Sequence, residues 1–297
     1  VTVSAVDLMV GRHSGASGTY NLSGSGKLTT PEEYVGGGYD TTGTDPIIGV
    51  FNQDGGEHKV NGTLFIGTKG GTGTYTLSDG TLSATTHYLG YSNYYDAGSD
   101  STRHGSGTFN QDGGTHTVTG ALQLAQDDDT TGTYNISAGT LNVDGTLGTL
   151  SVGNAGTGLF HIIGDQATIE VDGYSQNAAS TLELDINGIS PINVDGAISL
   201  AGVLDVEFLA APSVGDQYTI FVNDDTDPVL GTFIGKPEGF CFTPVGSNIA
   251  LLLSYEANVD GGSIGNDVTL SAVPEHSTLL LLLFAAGLLI RARRRKR

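Results

Sequence analysis

Two runs of carboxylates are the densest acid groups in the chain, Asp127-Asp128-Asp129 and Asp224-Asp225 with Asp227. Two carboxyls facing one groove about 5–10 Å apart could hydrolyse a glycosidic bond. Such sites usually include a His, Arg or Lys on a neighbouring strand, and neither run has one, so both read as acidic loops. Asp127, Asp129 and Thr131 also carry the first part of a calcium-loop spacing. Its twelfth position is Ala138, where a bidentate Glu is needed. They are the chain's only metal candidates at this level, for calcium, and no other cofactor is expected. His58 and His116 follow two copies of Asn-Gln-Asp-Gly-Gly. Stacked two repeats apart, at about 4.8 Å per strand spacing, they lie too far from each other to share one ion. They read as repeat features, with Asn52/Asn110 and Gln53/Gln111 available for side-chain stacking between copies. Cys241 is the only cysteine, which excludes an internal disulfide and a Cys-based zinc site. Between Phe240 and Phe242 it reads as a small packed hydrophobe. No Ser-His-Asp or Cys-His set can be assigned, and no residue is named as catalytic.

The charge is large and unevenly placed. The 297 residues hold 32 Asp and Glu against 12 Lys and Arg, a net charge of −20. Six of the 12 cations are Arg291, Arg293, Arg294, Arg295, Lys296 and Arg297, so residues 1–273, with 31 acids, carry −25. A body this acidic repels nucleic acid and polyanionic glycans and attracts divalent cations.

The elements that would position any site come from a repeat. Gly-Thr-Tyr-Asn-Leu-Ser at 18–23 returns at 73–78 and 132–137 as Gly-Thr-Tyr-Thr-Leu-Ser and Gly-Thr-Tyr-Asn-Ile-Ser. An alternate version, Phe-Asn-Gln-Asp-Gly-Gly, occupies 51–56 and 109–114. The leading glycines are 18, 49, 73, 107, 132 and 158, spaced by 31, 24, 34, 25 and 26 residues. Each unit runs from an aromatic strand through a Gly turn to an alternating strand. A third short strand then ends in Gly, as in Leu64-Phe65-Ile66-Gly67. Strands this short bury one face only when units stack. About 25 residues per unit suits a parallel β-helix. Antiparallel hairpins are the structural alternative, and two-residue turns between paired strands would mark them. The two long steps place insertions near 29–46 and 91–105, two units apart and on one side. The second belongs to the most aromatic patch of the chain, Tyr88, Tyr91, Tyr94 and Tyr95, which are ligand-contact candidates.

After about residue 172 the Gly-Thr-Tyr units stop and plainer alternating strands follow. Their order resembles the final coils and β-sandwich-like cap of autotransporter-type passenger β-helices. At the C-terminus, Val273-Pro274-Glu275-His276-Ser277-Thr278 precedes twelve uncharged residues, 279–290, and then the basic cluster. This order resembles a PEP-CTERM sorting signal. Pro274 and Glu275 match that family's Pro-Glu-Pro motif, and His276 stands where its second Pro is usual. The resemblance implies export, transient anchoring in the inner membrane through residues 279–290, and processing by an exosortase-type enzyme.

The sequence therefore predicts an all-β protein. Residues 1–172 form a right-handed parallel β-helix, 173–272 the terminal coils and β cap, and 273–297 a sorting signal with one hydrophobic helix. The expected function is a cell-surface or extracellular-matrix structural and adhesion protein, not an enzyme, contacting exopolysaccharide or matrix proteins. A secreted β-helix enzyme acting on polysaccharide is the alternative.

Overall fold

The computed structural model describes residues 2–4, 6–37, 45–92, 104–145, 148–224, 227–261 and 265–274. Among them the chain is all β. Every pairing between strands from Thr2 to Gly231 is parallel. This overturns the hairpin alternative, since each segment pairs in parallel with its equivalent one unit on, including where the two lie on consecutive strands such as Ile47–Thr68 and Gly71–Tyr91.

The pairings form three ladders, and single bent strands such as Ile47–Thr68 and Gly71–Tyr91 contribute to more than one. The first ladder puts Gly18, Gly49, Gly73, Gly107, Gly132 and Gly158 in one row. Two residues on, Tyr20, Phe51, Tyr75, Phe109, Tyr134 and Phe160 form another row. Their ring centroids follow at 5.0, 4.5, 5.0, 4.8 and 5.7 Å. From Phe51 onward these rings are fully buried. Each contact contributes about 0.5–1.5 kcal/mol beyond the burial itself. Leu182 and Leu204 continue the row, so the parallel pattern runs past residue 172 without a break. The second ladder aligns Leu28, His58, Leu82, His116, Leu141 and Ile169. The third aligns Glu33, Leu64, His87, Leu122, Leu150 and Tyr174. Their inward side chains meet those of the first ladder in one core.

The recurrence of the leading glycine has a steric cause. A Cβ on Gly73 would lie 2.0 Å from the Val35 carbonyl oxygen and 2.4 Å from the Gly67 amide. One on Gly107 would lie 2.2 Å from the Ile66 carbonyl oxygen and 2.6 Å from the Gly90 amide. The glycine ending a third strand thus meets the glycine opening a first strand, backbone against backbone. Gly67 and Gly90 also take φ of 69° and 75°, and Ala125, in the same row, is held at 54°.

The parallel pattern closes against an antiparallel sheet. The strand Gln217–Asn223 pairs in parallel with Ile192–Val194 on one side and antiparallel with Asp267–Pro274 on the other. Ile249–Ala257 and Cys241–Phe242 extend that sheet. It covers what would otherwise be an open templating edge. The last strand runs through Val273 and Pro274, which pair with Ala250 and Ile249. The boundary drawn before Val273 therefore falls inside a strand. Among the described residues no helix is long and apolar enough to cross a membrane. The expected hydrophobic helix at 279–290, with Glu275, His276, Ser277, Thr278 and the basic cluster, lies outside the described residues.

Candidate functional site

The outer face of the third ladder carries an aromatic strip. In strands that read Glu33-Tyr34-Val35, Leu64-Phe65-Ile66 and His87-Tyr88-Leu89, the flanking residues point into the core and the central one points outward. Tyr34 and Phe65 stack at 4.8 Å, and Phe65 and Tyr88 at 5.4 Å. Tyr91 closes the strip, 4.7 Å from Tyr88 and 5.3 Å from Phe65. The rings cover one another's faces; Phe65, Tyr88 and Tyr91 are partly exposed, whereas Tyr34 at the far end is buried. Tyr34 Oη donates to Glu32 at 3.0 Å. Partial burial raises the Tyr88 phenol, and the Asp127 charge adds to it.

Both insertions leave the chain beside this strip. The chain exits the third ladder after Val35 and again after Leu89, and rejoins the first ladder at Ile47 and Ser106. The described ends of the two insertions thus fall at the same corner two units apart. Tyr94 and Tyr95 lie outside the described residues. Asp127 reaches the near edge of the corner, where its carboxylate accepts the Ser92 amide at 2.8 Å.

The calcium candidates engage three different partners. Asp127 is used by Ser92, and its backbone oxygen accepts the Thr130 hydroxyl at 2.6 Å. Asp129, 81% exposed, stands 3.8 Å from His104. Thr131 Oγ1 donates to Ser106 at 2.9 Å. Asp129 also takes φ of 57°, a turn conformation that Asp tolerates. Lys59 sits on the second ladder, beside Thr29 and Ser83, and does not share a face with this turn. Arg103 and Asp225 lie outside the described residues. Asp227 accepts the Asn223 amide through its backbone oxygen, at 2.8 Å.

The repeated histidines have a purpose in the core. His58 Nδ1 lies 2.9 Å from Tyr75 Oη, which donates to Gln53 Oε1 at 2.5 Å. His116, Tyr134 and Gln111 repeat the arrangement, at 2.9 and 2.6 Å. Gln53 and Gln111 use their amides on the backbone oxygens of Thr81 and Thr140. The expected glutamine stacking is therefore replaced by an inward tyrosine clamp. The asparagines do ladder: Asn52 donates to Asn21 and Asn135 to Asn110, each at 2.8 Å. The remaining nitrogen of each histidine meets the third ladder. His58 Nε2 is 2.8 Å from Glu33, and His116 Nε2 is 3.3 Å from His87. Burial raises both phenols and lowers both His87 and His116, the latter to about 3.

Sequence reasoning missed Tyr34, Phe65, Glu33 and His87. Aligning third strands on their closing glycines puts Tyr34, Phe65 and Tyr88 in one column and Glu33, Leu64 and His87 in another, a signal the Gly-Thr-aromatic alignment does not use. Cys241 lies in the cap opposite Leu252, and partial burial raises its thiol. No family model, curated protein or solved structure matches the chain.

Proposed function

We propose that the chain is an exported surface or matrix adhesion protein built as a right-handed parallel β-helix with an antiparallel cap. Parallel pairing of each unit with the next supports that architecture. The observation that carries the functional reading is the coincidence of the aromatic strip with the corner that bears both insertions. Stacked phenols with a carboxylate at one end offer apolar edges and hydrogen-bonding groups to sugar hydroxyls. The −25 body favours neutral glycans over polyanions.

In native gels cast with a neutral exopolysaccharide, the full chain is expected to be retarded. Tyr88→Ala and Tyr91→Ala should each weaken this retention about tenfold, the loss of a well-packed contact residue. Equal migration with and without polysaccharide, or retention of Tyr88→Ala like the wild type, rejects the reading.

The PEP-CTERM-like segment supplies the route: inner-membrane anchoring through residues 279–290, the basic cluster on the cytoplasmic side, and exosortase-type processing. Fractionating cells that express the full chain or a form lacking residues 273–297 tests it. The deletion should move the protein out of the membrane fraction. An unchanged location removes the sorting proposal.

A further inference from the structure

The outward row of the first ladder changes chemistry along its length. It reads Asn21, Asn52, Thr76, Asn110 and Asn135, then His161, Glu183 and Asp205. An amide ladder gives way to an imidazole facing carboxylates. Asp185, two residues beyond Glu183 on the strand Thr181–Ile186, projects from the same face.

His161 Nε2 lies 3.0 Å from Asp185 Oδ2 and 3.8 Å from Glu183 Oε1. One ligand atom from each of the three falls within 4.8 Å of the others. The side chains of His161 and Asp185 are each 16% exposed, and that of Glu183 is 33% exposed. Two atoms in the group are shielded from solvent and make no hydrogen bond, His161 Nε2 and Asp185 Oδ1. An imidazole nitrogen and a carboxylate thus converge at 3.0 Å while Nε2 and Oδ1 are left without a hydrogen bond. Buried polar atoms are normally satisfied, and a shared cation would satisfy both.

The donor set selects the ion. The 3.0 and 3.8 Å separations bracket the spacing of roughly 3.3–3.6 Å that tetrahedral bonds of 2.0–2.2 Å from Zn2+ to His and carboxylate would give. Calcium and magnesium prefer oxygen-only sites, whereas an imidazole with carboxylates suits zinc and its neighbours. Asp205 and Glu207, exposed on the next strand, raise the local negative potential. Lys236, the cation beside Asp205, is occupied by the Leu204 carbonyl oxygen at 3.1 Å and the Phe242 ring at 5.1 Å.

We propose that His161, Glu183 and Asp185 bind a divalent transition-metal ion of the Zn2+ class, with Glu183 on the solvent side leaving an open coordination position. This site stands apart from the aromatic strip and does not depend on the adhesion reading.

The test uses the full chain, stripped with chelator and titrated with ZnCl2 by calorimetry and with CoCl2 by visible absorption. One tight ion per chain and a cobalt ligand-field band are expected. His161→Asn and Asp185→Asn should each weaken Zn2+ binding at least about tenfold and remove the band. His104→Asn, at the more exposed His104–Asp129 pair, should change neither. Zn2+ should also protect His161 from diethyl pyrocarbonate in the unmutated protein, a measurement that needs no variant to fold. Absence of stoichiometric binding, unprotected His161, or Zn2+ binding by His161→Asn equal to the wild type overturns the site and leaves a plain imidazolium–carboxylate pair.

Discussion

Acidification from pH 8 to pH 5 removes about 4 kcal/mol more stability from the wild type than from His87→Leu/His116→Leu. Both histidines are fully buried, 3.3 Å apart, against Phe109. Burial holds both in the neutral form, His116 titrating only at about 3 and His87 well below its ordinary range, with His116 adding to the shift. In the unfolded chain each takes up a proton near pH 6.5. Between that value and the folded one the unfolded state binds more protons, so stability falls as pH falls. The contribution is complete above about pH 6.5 and is lost progressively down toward pH 3. Each histidine costs about 1.4 kcal/mol per pH unit inside this window. Groups common to the wild type and the variant cancel in the difference, so it isolates the two imidazoles. The leucines are not arbitrary: Leu64 and Leu122 flank His87 in register, and Leu82 and Leu141 flank His116. His87 Nε2 makes no hydrogen bond, and Tyr134 keeps Gln111 as its acceptor. Urea unfolding at several pH values, followed by circular dichroism, gives the two slopes. Parallel slopes would show that the histidines are not held neutral in the core.

The repeat was readable because it has a local cause. The leading glycines and the aromatics two residues on recur in sequence, and their period is the register of the first ladder. The all-β class and the common corner of the two insertions follow from the same spacing. What stayed hidden are contacts between ladders. His58 and His116 look identical along the chain, yet one faces Glu33 and the other His87, 25 and 29 residues away. Those partners lie on third strands, which share only a short aromatic-aliphatic-glycine ending. His161 was similarly masked. It occupies a row of asparagines, and Glu183 and Asp185 read as the polar half of an ordinary alternating strand. Only the register between neighbouring strands turns that alternation into a ligand set. The Asp127–Asp129 run has its acids adjacent in sequence, but adjacent residues on a tight turn point apart: Asp127 accepts the Ser92 amide, whereas Asp129 faces His104.

The Glu33–His58 pair carries the second large effect. Glu33 and His58 are both inaccessible to solvent, joined at 2.8 Å, and Glu33 Oε1 makes no hydrogen bond. Taking such a pair out of water costs nearly as much as its attraction returns, so it contributes little net stability while both partners are present. Removing one partner is different, because the other is left in the core without compensation. His58→Leu is expected to cost about 4 kcal/mol, since it strands a carboxylate. Glu33→Leu should cost about 3 kcal/mol, since the imidazole keeps its bond to Tyr75 but loses its carboxylate. The double replacement should come within about 1 kcal/mol of the wild type. Leucine already occupies the neighbouring rungs, Leu64 beside Glu33 and Leu28 and Leu82 beside His58, so the new side chains continue existing rows. Tyr75 retains Gln53 in every variant. Four chemical denaturation curves, the wild type with the two single and the double variants, close a double-mutant cycle with a coupling of several kcal/mol. If the double variant instead loses the sum of the two single losses, the residues act independently and the buried pair does not exist in solution.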